Sequence, residues 1–270
     1  VLHIDCIAVI FLGFECAVAS NGQIAAGADG IVLDVKCGSG AFMKTQKDAE
    51  ALAHIMVEMG QHVGRKVTAI ISGMDQPLGM YIGNSLEVME AMEVLKGNVK
   101  GDLLEVSLLL GAHMLLLASR VQTEAEGKAL LQQQIDNGAG IAKFRELLIQ
   151  QGGNPAIIEQ PDLLPLSPCS LEVKAEKSGY LTHMDTAKIG RASQETGAGR
   201  AFKEQPLDFG AGIITKKRLG DYVEAGEVLA VIYSAKDEAC ASAAEIFQSA
   251  LTISAEKAPL PPLVLNIISA

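Results

Sequence analysis

Between Gly30 and Phe42 the chain runs from a short apolar strand into a glycine turn: Gly30-Ile31-Val32-Leu33-Asp34-Val35-Lys36-Cys37, then Gly38-Ser39-Gly40-Ala41-Phe42. Downstream, Thr45-x-x-Asp48 is an N-cap pattern. Leu52, Ile55, Met56, Met59 and Val63 then recur at helical spacing, and Gly60 and Gly64 mark the far end. Val67 to Ser72 is a second β-branched apolar run. A strand, a helix and a strand at this spacing predict a βαβ unit, whose parallel strands require a right-handed crossover. In open sheets of that kind ligands bind beyond the carboxyl ends of the strands, which here means Lys36 to Phe42.

The rest of the chain supports an α/β part that turns helical and then a β-rich part. Asn84 is placed to cap a helix, with Glu87 in the capping-box position and Gly97 at its end. Further helices are predicted over 103–117, 124–135 and 141–150. Pro155, Pro161, Pro165 and Pro168 fall close together and mark a boundary. The expected organisation is a partial parallel-sheet α/β catalytic domain over 1–160, with 1–23 divergent, followed by an α+β domain over 161–270. Short strands are predicted at 171–174, 179–183, 212–215 and 228–233, then a final helix over 239–252 and a Pro-rich tail. The run from Gly220 to Ile232 has glycine turns between short strands and resembles the barrel-sandwich module of biotinyl and lipoyl carriers.

Composition narrows the classes. A net charge of −10 argues against a nucleic-acid surface. The five cysteines lack a Cys-x-x-Cys spacing and fit reduced thiols in a cytoplasmic protein. The apolar stretch 7–19 is interrupted by Glu15 and is too short to span a membrane. No Lys or Arg precedes it as in a signal peptide.

Single residues then stand out. Gly38-x-Gly40 fits either a tight turn or a phosphate loop, because the third glycine of a dinucleotide fingerprint and the Gly-Lys-Ser/Thr of a P-loop are both absent. Lys36, at a strand's carboxyl end, could meet an anionic substrate or be ion-paired. Phe42 could wall a ring-binding pocket or pack in the core. Carbonyl oxygens of the loop Asp75-Gln76-Pro77-Leu78-Gly79, with the carboxylate of Glu90, suit a hard cation, while the plainer reading of Glu90 is a solvated helix residue. The histidines show no metal-ligand spacing. Lys236 follows the carrier-like run where such a module would hold its modified lysine, but lacks the flanking methionines of a biotinylated one.

Read together, these motifs are similar to the pyrimidine-nucleoside and thymidine phosphorylases in order, spacing and residue type. They are Ala25-Ala26-Gly27-Ala28-Asp29, Asp34-Val35-Lys36, Gly38-Ser39-Gly40-Ala41-Phe42-Met43, Met74 to Gly79 and Gly83-Asn84-x-Leu86-Glu87-Val88-x-Glu90-Ala91. Gly197-Ala198-Gly199-Arg200, Lys216-Lys217 and Gly220-Asp221-x-Val223-x-x-Gly226 follow. The resemblance implies a pentosyltransferase: phosphate, as co-substrate, attacks the anomeric carbon of thymidine, uridine or deoxyuridine, giving the free base and a pentose 1-phosphate. It implies Phe42 beside the pyrimidine. It also implies a structural potassium or similar cation at the carbonyls of Leu78 and Tyr81 and the carboxylate of Glu90. The family is homodimeric through an N-terminal helical domain.

The departures lie upstream. The family's Lys-His-Ser-Thr-Gly-Gly phosphate segment has no counterpart in these residues, and its base-holding Arg, Ser and Lys positions fall near His3, on Val18 and on Gly22. The expectations are therefore that no catalytic residue is retained, that the N-terminal helical domain is missing and that the chain alone is inactive. The rival reading from another class is a non-catalytic binding or biotinyl/lipoyl-like carrier module centred on Lys236. A phosphoribosyltransferase such as those acting on anthranilate lacks the β-rich second part.

Overall fold

The computed structural model describes residues 28–269. Two compact units divide them, and neither is contiguous in sequence. The first takes the chain up to Met74, Leu95–Phe144 and the residues from Pro262 onward; the second takes Asp75–Val94 and Arg145–Pro261. The chain leaves the first unit at 75–94, again from 145, and returns to it at 262. The return has a physical cause, because the tail pairs with a strand of the first unit.

In the first unit β1 (Gly30–Cys37), α1 (Gln46–His62) and β2 (Lys66–Gly73) form the predicted βαβ unit. β1 and β2 are parallel, in register from Gly30 opposite Lys66 to Cys37 opposite Gly73. The tail strand β10 (Val264–Ser269) adds antiparallel to the other edge of β2, giving the order β1-β2-β10. Alternate residues Ile31, Leu33 and Val35 are buried against Ala49, Ala53, Met56 and Val57 of α1. Small residues let this helix lie close: a Cβ at Gly60 would stand 2.0 Å from Val67 Cγ2. Thr45 caps α1 as expected, its hydroxyl accepting from the Asp48 amide at 3.2 Å.

Helices α2 (Asn84–Leu95), α3 (Asp102–Leu117), α4 (Glu124–Asp136) and α5 (Ala139–Gln150) follow. In the first unit α3 and α4 cross at glycines. A Cβ on Gly127 would stand 2.8 Å from Ala112 Cβ, and one on Gly111 2.6 Å from Leu131 Cδ1.

The second unit is β-rich, with two antiparallel sheets of order β3-β6-β8-β4 and β7-β5-β9. Its strands are β3 (Tyr81–Ile82), β4 (Cys169–Lys174), β5 (Gly179–Met184), β6 (Gly212–Thr215), β7 (Tyr222–Val223), β8 (Val228–Ser234) and β9 (Leu251–Ser254). Two helices, α6 (Thr186–Glu195) and α7 (Asp237–Ser249), join them around one core that includes Leu181, Ile189, Ile213, Leu229, Ile232 and Phe247. The fold class is the expected one: an α/β part with a parallel strand pair, then a β-rich α+β part. The elements not foreseen include the two-residue β3, α6, β9 and β10. α6 is short and polar, with Asp185 capping it at the Lys188 amide. β9 reads in sequence as the last turn of α7, and β10 is hidden in the tail.

The helix crossing makes a direct test. Gly127→Val forces two methyl groups onto the α3 backbone at Ala112 and is expected to lower unfolding free energy by about 1–3 kcal/mol in denaturant titration.

Candidate functional site

At the carboxyl end of the parallel pair, alternation puts Asp34 and Lys36 on one face of β1 while Val35 turns into the core. The register sets Ser72 of β2 opposite Lys36. The three side chains close a ring. Lys36 Nζ donates to Ser72 Oγ at 2.8 Å and pairs with Asp34 Oδ2 at 2.7 Å, and Ser72 Oγ donates to Asp34 Oδ1 at 2.5 Å. Ser72 is fully buried, and the Lys36 and Asp34 side chains are only 12% and 15% exposed. A half-buried ion pair of this kind is held in place by its geometry, since stripping either partner would strand a charge. Two of the ammonium's three donors are thereby committed, with the cation aimed by its strand position rather than by a mobile stem. Asp34 and Ser72 were not singled out in the sequence. The i, i+2 spacing from Lys36 was the available signal for Asp34, whereas Ser72 needed the register.

The glycine turn that follows uses its amides internally. Gly38 N donates to Met43 O at 3.0 Å, Gly40 N to Met74 O at 2.9 Å and Ala41 N to Gly38 O at 3.1 Å. Gly38 has φ +134°, which accounts for a glycine there. These bonds describe a tight turn in which the Gly38, Gly40 and Ala41 amides are already committed. Phe42 stands out from it, 93% exposed, so core packing is not its role.

The second unit holds the other sequence candidates. Glu90, on α2, is 5% exposed and faces the strand-entry segment 76–82. Its Oε1 accepts from Met80 N at 2.7 Å and its Oε2 from Tyr81 N at 3.1 Å. A Cβ at position 79 would stand 2.2 Å from Oε2, so Gly79 is what lets the carboxylate approach. On the carbonyl side, Arg218 Nη1 donates to Leu78 O at 3.3 Å and Nη2 to Pro77 O at 3.1 Å. Thr215 N and Oγ1 both donate to Met80 O, at 2.8 and 2.9 Å, and Leu219 N donates to Gln76 Oε1 at 2.9 Å. Leu78, Tyr81 and Glu90 lie in one cluster, in which the Leu78 carbonyl faces a guanidinium, the Tyr81 amide faces Glu90 and both Glu90 oxygens face amides. Arg218 was missed because its partners lie 140 residues away in sequence.

Glu87 completes the helix start. Its Oε1 accepts from Gly83 N at 3.1 Å, so Gly83 rather than Asn84 takes the capped position. Asn84 instead donates to Ala198 O at 2.9 Å, tying α2 to the Gly197–Arg200 turn. Burial pushes the carboxyls of both Glu87 and Glu90 up from their ordinary value, against the backbone amides that favour their ionised forms. At Glu90 the Arg218 charge opposes that rise as well.

Lys236 directly precedes α7 as its N-cap residue, instead of lying at a hairpin tip between strands. Among the described residues no group of three or more His, Cys, Asp or Glu could hold a metal ion. No helix among them is long and apolar enough to cross a membrane. The positions His3, Val18 and Gly22, and the divergent segment 1–23, lie outside the described residues.

Comparison with known proteins agrees with these motifs. A family model described as the glycosyl transferase family a/b domain matches residues 17–141. A second, the pyrimidine nucleoside phosphorylase C-terminal domain, matches residues 180–254. A pyrimidine-nucleoside phosphorylase of Staphylococcus aureus (strain bovine RF122 / ET3-1) is 48% identical over 247 residues, covering 92% of this chain and 57% of that protein. The proteins of the same description from strains USA300 and MSSA476 are 47% and 48% identical, over 92% and 91% of this chain and 57% and 56% of their own length. The chain therefore spans about 57% of the length of the curated relatives it matches.

Two substitutions separate the carboxylates. Glu90→Ala leaves the buried amides of Met80 and Tyr81 without their acceptor and is expected to lower stability by about 1–3 kcal/mol in denaturant titration. For Glu87 the sign runs the other way. A carboxyl whose folded pKa is raised above 4.5 contributes stability fully below that pH, and the contribution is lost as pH rises through the folded value. Glu87→Gln, which keeps an oxygen for Gly83 N, is therefore expected to gain on the wild type as pH rises from 4.5 toward neutrality; unfolding at several pH values checks it.

Proposed function

The chain belongs to the pyrimidine-nucleoside phosphorylase family, and from that premise we propose that the protein is a pentosyltransferase. It would cleave thymidine, uridine or deoxyuridine with inorganic phosphate, to the free base and the corresponding pentose 1-phosphate. The observation that carries this reading is the co-occurrence, in order, of the Asp34-Val35-Lys36 strand end, the Gly38–Met43 turn and the Gly83–Ala91 helix start, within a match of 48% identity.

In such a reaction the phosphate oxygen forms a bond to the anomeric carbon as the bond to the pyrimidine nitrogen breaks, through an oxocarbenium-like transition state. The protein's work is to place two reactants and to meet the charge that develops on phosphate and departing base. On this reading the Lys36 ammonium, fixed by Asp34 and Ser72, presents positive charge to an anionic substrate. Phe42 offers an exposed ring to the pyrimidine. A homodimer and a cytoplasmic setting belong to the same proposal.

The 270 residues contain no Lys-His-Ser-Thr-Gly-Gly segment, and the base-holding residue types are not at their expected places. We accordingly expect this polypeptide by itself to be inactive. The test is phosphate-dependent release of thymine or uracil by the purified 270-residue chain, followed by ultraviolet absorbance or chromatography. The expected outcome is no release above the enzyme-free rate, and turnover of either nucleoside would refute the inactivity. A chain extended upstream to include a phosphate-binding segment, and carrying His3→Arg, Val18→Ser and Gly22→Lys at the base-holding positions, is expected to release thymine and uracil, and its failure would count against phosphorolysis itself.

A further inference from the structure

We propose that Arg218 supplies the positive charge of the Pro77–Tyr81 segment, so that in this chain a guanidinium does the work the family resemblance gives to a metal cation. The proposal goes beyond phosphorolysis and does not rest on it.

A cation bound there would need oxygen donors turned toward it. Of the three implied ligands, the Leu78 carbonyl already accepts from Arg218 Nη1 at 3.3 Å, while the neighbouring Pro77 carbonyl accepts from Nη2 at 3.1 Å. Both carboxylate oxygens of Glu90 accept from amides of the same segment, at 2.7 and 3.1 Å. A metal ion at Leu78 O would share that oxygen with a guanidinium, placing two positive charges within a few ångströms in a partly buried spot. That arrangement is unfavourable wherever water does not screen it. The buried carboxylate of Glu90 sits beside the segment, and the Arg218 guanidinium opposes its charge.

The guanidinium is also built in. Arg218 N donates to Asp221 Oδ2 at 2.8 Å, while Thr215, three residues before it, and Leu219, directly after it, bond to Met80 O and Gln76 Oε1. The planar fork of arginine matches two adjacent carbonyls, a geometry that the single ammonium of lysine would not reproduce. Segment 76–82 is therefore held from both sides, its amides by Glu90 and its carbonyls by the turn that follows β6.

Thermal unfolding of the intact 270-residue chain tests this without any turnover. The midpoint is expected to be the same, to within about 1 °C, in potassium chloride and in tetramethylammonium chloride at equal ionic strength. Arg218→Gln is expected to lower it by about 3 °C or more in both salts, and Arg218→Lys by an intermediate amount. A saturable rise of several degrees with potassium in the wild type would overturn the proposal, as would an unchanged midpoint in Arg218→Gln. The wild-type salt comparison decides the matter even if that variant does not fold.

Discussion

Parallel pairing of β1 with β2 is the constraint from which the first unit follows. Parallel neighbours cannot be joined by a hairpin, so α1 must cross over the sheet, and its alanines and Gly60 let it settle on Ile31, Leu33 and Val35. The same register sets Ser72 beside Lys36, and strand alternation brings Asp34 to the same face. One backbone decision therefore produces both the apolar core on one side and the Asp34–Lys36–Ser72 ring on the other. Burying that ring is costly unless every charge is met, and the closed geometry meets them.

The second unit solves a different problem. Segment 76–82 enters an antiparallel sheet through a Pro-Leu-Gly turn, whose amides and carbonyls would otherwise be unpaired. Glu90 takes two amides, and Arg218 with Thr215 takes three carbonyls. Gly79 is the enabling residue, since any side chain there would collide with the carboxylate. The residues that a family resemblance marks as ligands are, in this chain, also the residues that finish the backbone's hydrogen bonding.

How much was legible in the sequence follows from the range of the interactions. The β1–turn–α1–β2 order could be read directly, because each element carries its own periodicity or cap. Lys36, Phe42, Leu78, Tyr81 and Glu90 are singled out by motif order and spacing alone. Ser72 and Arg218 were not: one needed a strand register and the other a partner 140 residues away. The division at Pro155–Pro168 was drawn from local composition, and local composition cannot reveal that β10 returns to pair with β2. Short elements such as α6 and β9 owe their form to packing on the second core rather than to propensity, so they left little trace.

The central proposal is that Lys36 is a positioned cation of a phosphorylase-type site that these 270 residues alone do not complete. Calorimetric titration of the chain with thymidine, in the presence and absence of phosphate, tests that claim most directly. The account predicts no saturable binding at concentrations below about 1 mM, because Lys36 and Phe42 alone offer few contacts. Saturable one-to-one binding that strengthens with phosphate would contradict it.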